Sequence, residues 1–287
     1  MSNRVYTSTK RDQIINKYSN REFTKMDCLK WLDTLEDESI NLWILDPPYN
    51  VLTGNMKNKN GAAVFHSRYT AKVSPSESDL EKGIVTPRFE VAIPWEEQQK
   101  LEDYKKWCYQ WYCKAHKKLC DDSFMFIFWS MRYLYLAYQI FDVNRIIFWQ
   151  QPNMISSISG DFCYDITPII VVRKGNPRLT KEAGLWDKSS VLNFTKPQGN
   201  YKKDKLCHPT QKPQALLEHL VWLSDTDHDG NIIGDFFAGS GSLLRAVNRA
   251  DVKLCDMNRE YYDKFFDTYV TDSRIYTCKV IDERKNK

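Results

Sequence analysis

The stretch Asn41-Leu42-Trp43-Ile44-Leu45-Asp46-Pro47-Pro48-Tyr49 runs an apolar segment into a turn that cannot continue it. Four successive apolar residues closed by turn formers read as a strand buried on both faces, and we place that strand at Ile40 to Leu45. Each proline lacks a backbone N–H and fixes φ near −65°, so the chain must leave the sheet at Asp46, and leave it stiffly. Open α/β sheets bind ligands outside the carboxyl ends of their strands, which puts this tetrapeptide in a site.

Working outward, apolar runs alternate with amphipathic stretches, the pattern of a parallel sheet with crossover helices. Further strands are expected at Glu22 to Met26, Phe124 to Trp129, Arg145 to Trp149, Thr167 to Val172, Ile232 to Phe237 and Val252 to Cys255. Helical periodicity covers Cys28 to Leu35, Glu97 to Leu119, Met131 to Phe141, Pro213 to Ser224, Ser242 to Arg249 and Glu260 to Tyr269. The expected fold is one α/β domain over residues 1–287, its sheet mostly parallel with helices on both faces. Two irregular segments, 51–94 and 174–205, are long for loops and are therefore candidates for function.

The chain has 287 residues, of which 42% are hydrophobic and 14% aromatic, enough to build a full core and to exclude disorder over most of its length. Its net charge, 41 − 37 = +4, is too modest to imply a polyanion partner by itself. The distribution says more. Residues 174–205 hold eight basic and three acidic side chains, and residues 51–72 hold four basic ones and no acid. Positive charge thus gathers in the two irregular segments, where a phosphate backbone could be gripped, although solvated loop charge accounts for it equally simply.

The opening residues contain no apolar signal-peptide core, and no run approaches the roughly 20 apolar residues that span a bilayer. A cytoplasmic protein without membrane contact is expected. The eight cysteines contain no C-x-x-C pair, and Cys108, Cys113, His116 and Cys120 match no common zinc spacing. Asp225-Thr226-Asp227-His228-Asp229-Gly230-Asn231-Ile232 imitates the first eight positions of an EF-hand loop, but Phe236 stands where the bidentate Glu belongs. No metal is expected.

Each member of Asp46-Pro47-Pro48-Tyr49 has a chemical use. An exocyclic amine of a nucleobase is a poor nucleophile because its lone pair is delocalised into the ring. Hydrogen bonds from its two hydrogens to the Asp46 carboxylate and to a backbone carbonyl, Pro47 being the natural one, favour a pyramidal nitrogen whose lone pair is available. The prolines hold the carbonyl outward, and the Tyr49 ring offers a stacking surface. An ordinary strand-ending turn is the competing reading. In Asp235-Phe236-Phe237-Ala238-Gly239-Ser240-Gly241 the two glycines permit a tight turn and close approach of a ligand. The strand Val252-Lys253-Leu254-Cys255 ends in Asp256, whose carboxylate could accept from ribose hydroxyls. A strand-turn-helix with no ligand is again the plain alternative.

Together these motifs resemble the β-class of amino-methyltransferases, which use S-adenosylmethionine to methylate exocyclic nitrogens of DNA bases. Members carry D-P-P-Y before F-x-G-x-G, here Asp46 to Tyr49 and Phe237 to Gly241, with target recognition between them. His208-Pro209-Thr210-Gln211-Lys212-Pro213 is similar to the family's H-P-T-Q-K-P segment. The resemblance covers about residues 22–262 and implies a Rossmann-like methyltransferase fold with circularly permuted motif order. It implies catalysis at Asp46, Pro47, Pro48 and Tyr49. It implies S-adenosylmethionine held by Asp27, Asp46, Thr210, Lys212, Asp235, Phe237, Gly239, Gly241 and Asp256, with Lys212 pairing the methionine carboxylate and Asp27 near the adenine. DNA would be held by Lys57, Lys59, Arg68, Lys196, Lys202 and Lys203 from the two irregular segments.

D-P-P-Y points to adenine-N6 in that family, with cytosine-N4 as the alternative. A catalytically silent nucleic-acid binder or subunit is the alternative of another kind. The family often dimerises, so a homodimer is expected, in a bacterial, phage or viral setting. Two residues depart from the family pattern: Phe236 stands where a proline is usual and Gly234 where an aliphatic residue is usual.

Overall fold

The computed structural model describes residues 20–49, 71–73, 88–90, 101–153, 165–197, 211–239, 241–257 and 278–282. Its strands are β1 (Arg21–Lys25), β2 (Ile40–Leu45), β3 (Ala71–Val73), β4 (Arg88–Glu90), β5 (Leu119–Phe128), β6 (Val143–Gln150), β7 (Ile166–Lys174), β8 (Val191–Asn193), β9 (Ile232–Asp235), β10 (Asp251–Asp256) and β11 (Cys278–Asp282). Its helices are α1 (Cys28–Thr34), α2 (Leu101–Lys118), α3 (Leu134–Ile140, entered through a 3-10 turn at Met131–Tyr133), α4 (Gln214–Leu223) and α5 (Leu243–Ala246). The expected helix at Glu260 to Tyr269 lies outside the described residues, as does most of 51–94, where β3 and β4 form a separate antiparallel pair.

Nine strands make one sheet in the order β11-β1-β10-β9-β2-β5-β7-β6-β8. Every described pairing within this sheet is parallel except the two made by β7, so eight strands run one way and β7 runs against them. The mostly parallel sheet read from the sequence is what forms. From β9 the chain steps through α5 to β10 on one side, whereas from β2 it steps through α2 to β5 on the other. The neighbours β9 and β2 therefore flank the topological switch point, where diverging connections leave a crevice at the carboxyl ends of the strands.

Strand β2 shows why two faces are covered. Leu42 and Ile44 enter one core with Phe124, Phe126, α4 and α5, while Trp43 and Leu45 enter the other with α1, α2 and α3. The Trp43 ring occupies the space beside Gly234 of the neighbouring strand: a Cβ there would sit 2.2 Å from Trp43 Cζ3. Trp43 also meets Phe236 edge-on at 5.1 Å and donates from its ring N–H to the Ala115 carbonyl at 3.0 Å. The two departures from the family pattern are thus one packing solution, in which glycine makes room for an indole and Phe236 packs against it.

Helix α5 is shorter than the expected Ser242 to Arg249, because tertiary contacts take over at Val247. Asp227 accepts from the backbone N–H groups of Asn248, Arg249 and Ala250 at 3.1, 2.7 and 3.0 Å. Buried Arg21 donates to the carbonyls of Val247 and Ala250 from the other side. Asp229 pairs with Arg249, so the acidic residues of the EF-hand-like stretch hold this turn. Asp227→Ala would strip the acceptor from these N–H groups and is expected to cost about 2–3 kcal/mol, checked by urea unfolding.

Candidate active site

Asp46 stands at the end of β2, and its carboxylate is held from two directions. The Tyr49 hydroxyl donates to Oδ1 at 2.7 Å, and the Lys212 ammonium, arriving from just before α4, pairs with Oδ2. Both charged side chains are largely buried, at 22% and 10% exposure, so this ion pair is far less screened than one at the surface. A carboxylate has about four lone-pair sites, so these two contacts leave it able to accept from an amine. Burial, reinforced by the Asp46 charge and hydrogen bond, pushes the Tyr49 hydroxyl up and keeps it a neutral donor. Lys212 also lies 5.0 Å above the Phe128 ring at the end of β5.

The glycine-bearing turn follows β9 on the other side of the crevice. Gly239 and Gly241 have φ of 47° and 70°, which residues with a side chain rarely adopt. Gly241 N–H donates to the Ala238 carbonyl at 2.7 Å, and Gly239 N–H donates to Asp256 Oδ2 at 2.8 Å. Asp256, at the end of β10, is therefore tied to the turn it was expected to serve jointly. Asp27, at the end of β1, caps α1 by accepting from the N–H groups of Leu29 and Lys30 at 3.1 and 3.2 Å. Asp27, Asp256, Asp235 and Asp46 thus close four adjacent strands, β1, β10, β9 and β2, at one end of the sheet.

Asp235 is buried, with Oδ1 accepting from the Phe237 N–H at 2.8 Å. Burial raises its carboxyl well above the usual carboxylate range; the Phe237 N–H opposes this, and the charges of Asp46 and Asp256 add to it. The folded state therefore holds this proton more tightly than the unfolded chain does. That contribution to stability is full below the ordinary pKa and is lost as pH rises through the raised one. Asp235→Asn, neutral at every pH and still an acceptor, is expected to melt higher than the unmutated protein at about pH 8, the gap closing toward about pH 4. A pH-independent difference in melting temperature would contradict this.

Among the described cysteines, Cys28, Cys108 and Cys255 are buried and behave as small core residues. Burial pushes the Cys28 and Cys108 thiols up to about 12. Cys113 is exposed, and Cys120 donates to the Glu38 carbonyl. Among the described residues no three His, Cys, Asp or Glu side chains gather as metal ligands, and no helix is long and apolar enough to cross a membrane.

The second irregular segment is divided by the sheet. Because β7 runs backward, Lys174 emerges beside Ser123 near the start of β5, at the end opposite Asp46, and it pairs there with Glu38. From there residues 175–190 climb along α4: Thr180 N–H donates to the Leu223 carbonyl, and His219 contacts the Asp187 carbonyl at 3.1 Å. Residues 174–190 thus run from the far end of the sheet along α4. The chain returns to the Asp46 end of the sheet after β8, where Lys196 is stapled to Asn153 by two 2.8 Å hydrogen bonds between its backbone and the Asn153 amide. Thr210, Lys57, Lys59, Arg68, Lys202 and Lys203 lie outside the described residues.

Tyr104 and Trp129 also belong to this region and carried no local signal. They sit in an aromatic-rich helix and at a strand end, and both are buried. The Tyr104 hydroxyl donates to the Pro48 carbonyl at 3.1 Å, across 56 positions of chain.

The family model for DNA methylases, N6_N4_Mtase, matches residues 40–267, which include both strand-end motifs and most of the chain. The chain belongs to that family. Among curated relatives it is 24% identical to the Type II methyltransferase M.HpaI of Haemophilus parainfluenzae over 91% of this methylase and 77% of the relative. Its fold is that of the PvuII cytosine-N4-specific DNA methyltransferase (TM-score 0.59, 15% identity, 92% of this chain and 95% of that one). It is also that of TTHA0409, a putative DNA modification methylase from Thermus thermophilus solved with S-adenosyl-L-methionine (TM-score 0.56, 14% identity, 92% and 98%). This methylase therefore has the Rossmann-like methyltransferase fold expected from its motif order.

Proposed function

We propose that the protein is a DNA adenine-N6 methyltransferase that uses S-adenosylmethionine and acts on a base turned out of the duplex. The observation that carries this reading is the Asp46 carboxylate, fixed by Tyr49 and Lys212 at the switch-point crevice, on the strand next to the one that leads into the glycine turn. The site suits the cofactor: a side chain at Gly239 or Gly241 would be strained, Asp256 is held beside the turn, and strand-end carboxylates suit a cationic ligand. Lys212 would hold the methionine carboxylate while keeping its contact with Asp46, since an ammonium has three donors.

S-adenosylmethionine supplies an electrophilic methyl group. The protein's part is to orient the amine. Asp46 and the Pro47 carbonyl each accept one amine hydrogen, and the Tyr49 ring stacks on the base. Turning the base out of the helix costs a few kcal/mol of pairing and stacking, and contacts such as Lys196 to the backbone would offset this. Type II modification of a specific site is the activity borne by the similar methyltransferases and the one we assign here.

The test is mass spectrometry of nucleosides from plasmid recovered after expression of the protein, or of its Asp46→Ala variant, in a methylation-free host. N6-methyladenine present only with the unmutated protein is expected. N4-methylcytosine, the mark suggested by the likeness to the PvuII enzyme, would keep the site and change the base. The absence of both marks would overturn the reading.

A further inference from the structure

Two of the four residues of the Asp46-Pro47-Pro48-Tyr49 turn have no backbone N–H, which leaves few backbone hydrogen bonds to hold it. Contacts from other elements supply the rest. Asp46 is anchored by Tyr49 and Lys212, and the Pro48 carbonyl accepts from Tyr104 of α2. Tyr104 is only 3% exposed and lies nearly parallel to Trp129 (centroids 6.0 Å apart, 23°), with Trp107 at 6.1 Å and Tyr133 at 6.2 Å around it. Trp129 is itself fixed, its ring N–H donating to the Tyr133 carbonyl at 2.8 Å. The phenol ring has almost no freedom, so its hydroxyl is a rigid peg at the turn.

We propose that Tyr104 is a positioning residue for methyl transfer: by engaging the Pro48 carbonyl from α2 it sets the pitch of the turn, so that Asp46 and the Pro47 carbonyl face the amine together. The inference rests on the methyltransferase reading above. Tyr104 touches neither substrate nor cofactor in this role; it acts through Pro48. Aiming two acceptors at one NH2 group is sensitive to small rotations, since a displacement of about 1 Å at such a site can cost on the order of 100-fold in rate.

Tyr104→Phe keeps the ring and its stacking and removes only the hydroxyl. It is expected to lower kcat about 10- to 100-fold, with KM for DNA and for S-adenosylmethionine within about twofold of the unmutated enzyme. Tyr112→Phe is the control. Tyr112 lies on the same helix, two turns further on, and also loses a hydroxyl contact, part-buried, with Asp142 at 2.9 Å. It is expected to lower the melting temperature and leave kcat unchanged. Trp129→Leu, which loosens the stack and keeps the Tyr104 hydroxyl, is expected to lower kcat in the same sense by a smaller factor. Unchanged kcat in both Tyr104→Phe and Trp129→Leu overturns the proposal, and so does a loss in Tyr104→Phe matched by a rise in KM. Failure of the unmutated protein to methylate any DNA sinks the underlying reading instead, and the two failures are told apart in one experiment.

Discussion

Asp46→Asn is expected to lower the rate of methyl transfer by about 100- to 1000-fold, the loss typical when one oriented group that stabilises charge is removed from a closed site. The substitution is nearly isosteric, and the Asn oxygen can still accept from Tyr49 or from Lys212. The missing charge is what matters: a carboxylate draws positive charge onto an amine that becomes cationic as it reacts, and a neutral amide does so far more weakly. The loss should fall mainly on kcat and far less on the KM for S-adenosylmethionine, because Lys212 keeps its charge for the methionine carboxylate and the glycine turn with Asp256 is untouched. Thermal stability should fall modestly, since Lys212 would keep a neutral partner in a largely buried place. Steady-state kinetics on a duplex substrate, paired with a melting curve, separate the two effects. A variant that retains more than about a tenth of the rate would remove Asp46 from the chemistry.

The largest stability effect is expected at Gly234. Valine there would drive its Cβ to 2.2 Å from Cζ3 and 2.6 Å from Cε3 of Trp43, in the centre of a sheet whose strands cannot separate. We expect about 3 kcal/mol or more of destabilisation. Trp43→Leu alone should cost a similar amount by leaving a cavity among Trp31, Phe236 and Ala115. Combined, the substitutions fill each other's space, so the double variant should be clearly more stable than the two penalties together imply. Urea unfolding of the four proteins measures the coupling, and simple additivity would contradict the joint packing of Gly234, Trp43 and Phe236.

The elements recovered from sequence are those whose own pattern sufficed. Ile40–Leu45 matches to the residue because an apolar run ends at two prolines. Leu119–Phe128 was expected to begin only at Phe124, because Cys120-Asp121-Asp122 reads as loop even though it continues the strand at the rim. Three-residue β8 has no periodicity to detect and owes its existence to its pairing with β6. Of the site, the strand-end aspartates and the glycine turn were visible because each sits where a local motif breaks an apolar run. What joins them was not: Lys212 reaches Asp46 across 166 positions, and Tyr104 reaches Pro48 from a helix whose aromatic residues read as core. The path of the basic segment was not legible either, since charge composition does not reveal that β7 runs backward and releases Lys174 at the far end of the sheet.

The strand order also dictates when the molecule can assemble. β1 and β2 are neighbours in the chain, yet β10 and β9 stand between them in the sheet. During synthesis β2, β5, β7, β6 and β8 can pair as soon as residue 193 is free, but β1 has no partner, and β2 keeps one edge open, until residues 232–256 follow. At about 5–20 residues per second that wait lasts on the order of seconds. Throughout it the nascent chain presents an unpaired strand edge at Leu42 and Trp43, the register where β9 will dock. The crevice comes into being only when β9 and β10 close that edge, so no folded fragment of the growing chain that stops short of them can carry a finished site.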